Sequence, residues 1–202
     1  MTAAVPRGRD DLGTVARILD AAEALVQVRG FNGFSYADVA ANLQITKPAL
    51  HYHFAGKADL GEALITRYAS RFTDALTAID HGDGSGLRKL EGYADLYLRV
   101  LSERRMCLCG MLAAEYQTLP KPMRDAVISF FDDNESWLAA TLEQGRLDGS
   151  IQFSGSACDT ARMLISGLEG AMLIARSYGD VARFEAAAQG LLSGLAAKTE
   201  AL

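Results

Sequence analysis

Cysteine and proline are both scarce in this chain. Three cysteines, Cys107, Cys109 and Cys158, among 202 residues are too few, and odd in number, for a disulfide-stapled secreted scaffold. Only four prolines leave long stretches free to be helical. No apolar run reaches the roughly 18 residues that a membrane span requires, because Arg, Asp, Glu or Gly interrupts each candidate, so no membrane partner is expected. The opening MTAAVPRGRDDLG lacks the apolar core of a secretory signal, which makes the cytoplasm the expected compartment. Bulk positive charge is missing too: 20 Lys and Arg stand against 25 Asp and Glu. That excludes a protein that coats nucleic acid through overall charge, and confines any DNA contact to a local patch. Residues 1–57 hold six basic against five acidic side chains, a surplus of one, so the remainder carries −6 of the net −5.

What is present is an apolar half of the composition, enough for a sizeable core that buries about 70% of the unfolded surface. Helical spacing dominates. Val15, Ile18, Leu19, Ala22, Leu25 and Val26 recur every three or four residues between Asp11 and Arg29, ahead of a terminating Gly30. Ser35 stands as an N-cap with Asp38 as its reciprocal carboxylate, predicting a short helix through Leu43. Thr46 caps a second short helix, Lys47 to His53, with Pro48 in its first turn. A long helix from Lys57 to about Ile79 carries Leu60, Leu64, Tyr68, Phe72, Leu76 and Ile79 on one stripe, before the loop His81-Gly82-Asp83-Gly84-Ser85-Gly86. Further helices are predicted at about Leu87–Glu103, Cys107–Gln117, Lys121–Leu147, Ala157–Tyr178 and Val181–Lys198. No segment of two-residue alternation competes, so the fold class is all-α.

Two short capped helices joined by a tight turn and flanked by longer ones form a helix-turn-helix pattern, in which the second short helix enters the major groove and the first braces it. Lys47, His51, Tyr52 and His53 place polar and aromatic groups on that second helix, where they can reach phosphates and base edges. Ser35 and Lys57 lie at helix N-termini, which favour a phosphate.

Ile18-Leu19-Asp20-Ala21-Ala22, Gly30-Phe31, Ser35, Asp38-Val39-Ala40, Ile45 through Phe54 and Lys57-Ala58-Asp59-Leu60 together resemble the TetR family of transcriptional regulators over roughly the first 60 residues. The resemblance implies a homodimer with an N-terminal three-helix DNA-binding domain (residues 1–57) and a larger C-terminal helical domain for ligand binding and dimerisation (residues 58–202). It places base or phosphate contacts on Lys47, Ala49, Tyr52 and His53, with Ser35 and Lys57 on the DNA backbone. Two positions depart from the family pattern: His51 stands where Tyr is more common, and Gln44 where the turn usually has Gly. A non-glycine residue in a left-handed turn costs on the order of 1 kcal/mol.

For dimerisation, the small-residue seam Ala157, Ala161, Leu164, Leu168, Ala171 and Ala175 and the face Ala187, Leu191, Gly194, Leu195 and Lys198 offer either a helix-pair interface or intrachain packing. For the effector, Tyr93, Tyr97, Met111, Phe130 and Trp137, with Glu115 and Glu169 set among apolar neighbours, suit a pocket for a moderately apolar small molecule, or plain core. In Arg104-Arg105-Met106-Cys107-Leu108-Cys109, two arginines at a helix N-terminus would lower the Cys107 thiol pKa, as an oxidant or electrophile sensor requires. Cys107 also matches a switching cysteine of some TetR-type regulators; the other reading is a small buried hydrophobe.

No catalytic set, metal spacing or phosphate-binding glycine loop can be assembled, so neither an enzyme nor a cofactor or metal is expected. The function read from the sequence is a ligand- or redox-responsive regulator, a repressor that binds a palindromic double-stranded operator as a homodimer and is released by a small-molecule effector. The rivals are a helical small-molecule-binding protein and a thiol-dependent enzyme, both without DNA binding.

Overall fold

The computed structural model describes residues 9–197. Nine α-helices lie among them: α1 (Arg9–Arg29), α2 (Tyr36–Leu43), α3 (Lys47–His53), α4 (Lys57–His81), α5 (Gly86–Ser102), α6 (Leu108–Ala114), α7 (Lys121–Leu147), α8 (Ala157–Tyr178) and α9 (Val181–Ser193). A 3-10 turn at Tyr116–Thr118 separates α6 from α7. The fold class is all-α, as expected.

Caps set the helix ends. Thr46 Oγ1 accepts from the Ala49 amide at 3.3 Å, Ser156 Oγ from the Asp159 amide at 3.1 Å, and Asp180 Oδ1 from the Ala182 amide at 3.1 Å, each satisfying an amide the helix leaves open. The end of α2 is less ordinary. Gln44 takes the left-handed conformation, φ 56°, which the family's usual glycine would adopt without strain. Hydrogen bonds from Ile45 to Ala40 (3.0 Å) and from Gln44 to Ala41 (3.3 Å) close the turn in Schellman fashion and offset part of the cost.

Two helix ends depart from the sequence reading. The segment expected to be helical from Cys107 to Gln117 breaks at Ala114, because Glu115 is drawn to backbone amides elsewhere. The last helix stops at Ser193, where the Gln152 amide donates to Leu195 O (2.8 Å) and the Ala197 amide to Ser150 O (3.1 Å), forming an antiparallel bridge between Ile151 and Ala196. Lys198 lies outside the described residues.

Packing divides the described chain into two compact units. One comprises the residues up to Ala69 together with Leu108–Val127; the other comprises Ser70–Cys107 and the residues from Ile128 onward. The first therefore includes α6 and the start of α7, which a division after residue 57 assigns to the C-terminal domain. The reason is apolar contact: α6 packs on α1, and Met123 lies so close to Gly61 that a Cβ there would sit 2.5 Å from its sulfur. Ile18, Ala22, Val26, Val39, Leu50, Leu60 and Leu64 form the inner core of this unit. Each large side chain among them stabilises it by roughly 1.5–3 kcal/mol through burial.

In the second unit α8 packs chiefly on α9, and both pack on α5. Ala157, Ala161, Leu164, Leu168 and Ala175 are buried within the protomer, which is the intrachain packing of the two alternatives open for them. Leu191 fits against Gly167, where a Cβ would lie 2.9 Å from it. The outward face of α8 carries other residues: Met163, Leu173, Ile174 and Tyr178 are 51–66% exposed.

Candidate functional site

The outer face of α3 is built by elimination. Leu50 points into the core with no exposure, while Lys47, Ala49, His51 and Tyr52 on the same helix are exposed. Tyr52 is 71% exposed, a large ring held on a rigid helix in contact with solvent. His51 is braced: its ring lies 4.8 Å from that of Tyr36, and its Nδ1 is 3.2 Å from Ala55 O. Tyr36 is fixed in turn by donating its hydroxyl to Phe54 O at 3.1 Å, and burial pushes its pKa up to about 12.

Three residues expected at the DNA also make contacts within the unit. His53 is half-buried and lies 3.3 Å from the Asp11 carboxylate, tying α3 to α1. Ser35 donates both its hydroxyl (2.6 Å) and its amide (2.7 Å) to Asp38 Oδ2, so the acidic half of the expected capping box forms. The Asp38 pKa falls as a result of these bonds. Lys57 turns inward: its ammonium donates to the carbonyls of Phe31 and Phe34 and lies over both rings. Burial lowers its pKa. It thereby shapes the connection between α1 and α2.

Glu115, expected in an effector pocket, is the other half of that arrangement. Its carboxylate accepts the Phe31 amide at 2.6 Å and the Asn32 amide at 3.3 Å, while Asn32 Nδ2 donates to Thr118 Oγ1 at 2.7 Å. Gly30 makes room for it. Its φ of +80° suits glycine, and a Cβ there would sit 2.6 Å from the carboxylate. The Gly30–Phe34 connection is thus gripped from one side by Lys57 and from the other by Glu115. Gly30-Phe31 and Lys57 were visible in the sequence, but a contact 84 residues away in the chain leaves no local signal. Met111, also expected in the pocket, belongs to this unit as well.

The remaining predicted effector residues do gather in the second unit. The Tyr93 and Tyr97 hydroxyls lie 3.0 Å apart, Tyr93 is 3.0 Å from Asn134 Oδ1, and Asn134 Nδ2 donates to Phe130 O at 2.7 Å. Trp137 stacks on Tyr93 with ring centroids 5.7 Å apart and donates its indole N–H to Asp80 at 2.8 Å. Phe72 contacts Tyr93, Tyr97 and Phe130 at 5.2–6.1 Å. Phe72, Asn134 and Asp80 were missed as site residues, although Phe72 was on the predicted apolar stripe.

Glu169 reaches into this cluster. Its oxygens are sealed from solvent with no hydrogen-bond partner among the described residues, and burial pushes its pKa up to about 7 while the nearby Cys107 thiol and Tyr97 hydroxyl pull it down. Cys107 is 1% exposed, and its amide donates to Met172 Sδ at 3.4 Å. The arginine environment expected for the thiol does not form: Arg104 is exposed, Arg105 lies 3.4 Å from Glu103, and a carboxylate is what faces the sulfur. An open cleft of about 620 Å³ in the same unit, lined by Leu101, Ser102, Arg104, Ala175, Arg176 and Val181 among others, contains none of the predicted effector residues.

Among the described residues no group of three or more His, Cys, Asp or Glu is placed to hold a metal ion, and no helix is long and apolar enough to cross a membrane.

Comparison with known proteins adds the following. Residues 18–64 match the bacterial regulatory proteins of the tetR family, and residues 86–191 match the tetracyclin repressor-like C-terminal domain. The chain is 27% identical over 181 residues to the transcriptional regulator AcuR of Cereibacter sphaeroides, covering 85% of this chain and 80% of that protein. A TetR-family transcriptional regulator from Agrobacterium tumefaciens superposes with a TM-score of 0.89 at 29% identity, over 92% of this chain and 99% of that one. The reduced form of E. coli NemR superposes with a TM-score of 0.82 at 25% identity, over 94% and 100%.

Proposed function

Because the chain belongs to the TetR family of bacterial transcriptional regulators, we propose that it is a cytoplasmic repressor that binds a palindromic operator as a homodimer and is released by an effector. Its relatives are regulators and not enzymes, and the family's C-terminal domain is typically the ligand-binding one. The observation that carries the DNA reading is the outer face of α3, where Lys47, Ala49 and the 71% exposed Tyr52 stand on a helix anchored by Leu50. Such a face supplies a phosphate contact, a close approach and a ring for base edges. One module makes few contacts, and two related by a two-fold axis read half-sites about 34–36 Å apart. The exposed Met163, Leu173, Ile174 and Tyr178 of α8 support a second copy as the partner that covers them.

Release requires the second unit to alter the first. The chain crosses between them within α4, between Cys107 and Leu108, and within α7. The segment entered at Leu108 carries Glu115, which holds the α1–α2 connection. A change at Cys107 therefore has a short covalent route to the DNA-binding helices. Cys107 is the proposed point of sensing, and the relation to NemR, solved in a reduced form, favours a thiol-dependent input.

Gel retardation with the protein's own upstream DNA tests the reading. Binding should weaken steeply with salt, and the double variant Lys47→Ala, Tyr52→Ala should lose roughly 1–3 kcal/mol for each contact removed while its thermal unfolding stays unchanged. Retention of the probe by that variant at wild-type strength would overturn the assignment.

A further inference from the structure

The open cleft of the second unit lies where two helices end and a third begins. Its lining comes from the end of α5, the end of α8 and the first residue of α9, all within that unit. At about 620 Å³ it falls among small-molecule sites, which span roughly 300–1,000 Å³. Its ionic groups are unequal. Asp180 is the acidic residue of the lining, and both of its oxygens are taken: Oδ1 accepts the Ala182 amide at 3.1 Å, and Oδ2 lies 3.4 Å from Arg183 Nε. Ser102 donates its hydroxyl to Leu98 O at 2.8 Å. Arg104 is different. The acid beside it, Glu103, is 3.4 Å from Arg105, and the Arg104 guanidinium makes no ion pair or hydrogen bond among the described residues. With Arg176 as the other cation of the lining, the cleft carries an excess of positive charge.

Arg104 also holds its place against the preference of its backbone. Its φ is +59°, in the left-handed region where a Cβ is disfavoured. Its amide donates to Leu101 O (2.8 Å) and the Arg105 amide to Val100 O (3.1 Å), which makes it the left-handed residue of a Schellman closure, a position usually held by glycine. The end of α8 is closed by the same pair of bonds, Gly179 to Arg176 O at 3.0 Å and Asp180 to Ala175 O at 3.1 Å, and there the left-handed residue is a glycine, φ +62°. Two helix ends of one design thus line the cleft, and one of them gives up glycine for a cation. The helix dipole does not demand this. A cation anywhere in the last turn offsets it, and α5 already has Arg99 there.

We propose that this cleft binds a small organic carboxylate, with Arg104 and Arg176 receiving the carboxylate and Leu101, Ala175 and Val181 its apolar body. A guanidinium offers the paired donors that a carboxylate accepts. An inorganic anion would leave the apolar part of the lining uncovered. Arg104 stands three residues before Cys107, after which the chain passes into the DNA-binding unit, so an occupied cleft bears on the segment that carries Glu115. As an effector site the cleft rests on the reading of the chain as a DNA-binding regulator; as a binding site it does not, and neither role depends on the chemistry of Cys107.

The test is isothermal titration calorimetry of the full-length protein with 4-phenylbutanoate and, as the uncharged control, 4-phenylbutanamide, followed by gel retardation of the upstream DNA with and without the acid. The acid should bind, and the amide at least about tenfold more weakly. Arg104→Gly suits the left-handed φ and so keeps the fold. It should lose at least about tenfold in affinity for the acid, with its unfolding temperature held or raised and its affinity for the amide unchanged. Arg104→Lys keeps the charge without the paired donors and should fall between. The acid should release the DNA from the wild type and, at the same concentration, not from Arg104→Gly. Equal binding of the acid by wild type and Arg104→Gly, or equal binding of acid and amide, would overturn the site. No uptake of the acid would overturn it too; if Arg104→Glu then dissociates the dimer, a second copy is what fills the cleft. Acid bound through Arg104 with DNA retention unchanged would overturn the effector role alone. A chain that fails to hold its upstream DNA even without the acid would overturn the regulator reading, while the calorimetry still decides the site.

Discussion

The two units treat charge in opposite ways. In the DNA-binding unit three charged groups outside α3 are spent on structure: Lys57 on two carbonyls, Glu115 on two amides, and Arg67 on Asp20 and Glu23 at 2.9 and 3.0 Å. The short outward face of α3 stands open for a partner. In the second unit a carboxylate is carried inward and left without a hydrogen bond. A surface that must meet phosphates needs rigid support beneath it, and the paired charges supply that. A core that must respond to chemistry needs a group whose state is easily changed, and an uncompensated buried acid is such a group.

The contrast can be broken by experiment, beginning with the largest effect. The raised pKa of Glu169, from 4.5 to about 7, means that below pH 4.5 the acid is protonated whether the chain is folded or not. Above that the unfolded chain gives up a proton that the folded chain keeps, so the wild type loses stability as pH rises through 7. Glu169→Gln removes this loss, and in urea unfolding its advantage over the wild type should grow by about 3 kcal/mol between pH 4 and pH 8. A gap independent of pH would mean that the buried carboxylate is not strained after all. Next comes Glu115→Ala, which strips the amides of Phe31 and Asn32 of their charged acceptor. It should destabilise the DNA-binding unit by roughly 1–3 kcal/mol, speed hydrogen exchange at those two amides, and weaken operator binding although Glu115 is not on α3. Normal DNA affinity would show that the grip on the α1–α2 connection is not part of the binding geometry. The smallest effect belongs to Gln44→Gly, which relieves a left-handed φ of 56° and should add up to about 1 kcal/mol in thermal unfolding; a loss of stability would show that the Gln44 side chain contributes more than its strain costs.

Much of this was legible in the chain itself. Ser35, Thr46 and Pro48 announced α2 and α3 at their observed boundaries, because capping is decided by residues within one turn. The Lys121–Leu147 and Ala157–Tyr178 helices were also read correctly, since apolar periodicity over many turns is hard to satisfy in any other way. Half-site residues were harder. Lys47, Ala49, His51 and Tyr52 are exposed, while Lys57 and His53 have partners 26 and 42 positions distant in the chain, Phe31 and Asp11, which no local pattern announces. The small-residue seam of α8 left two neighbours open, because close helix approach looks the same whether the second helix belongs to the same protomer or another.

By itself, then, the amino-acid order determined the helices, their caps and the resemblance of the first 60 residues, for these depend on hydrogen bonds and apolar repeats a few positions apart. Only the tertiary structure decided that Glu115 serves the DNA-binding unit and that Glu169 lies beside Cys107. Which polar group finds a partner, and which is buried without one, is set by residues brought together from 60 or more positions away, and no local pattern encodes the outcome.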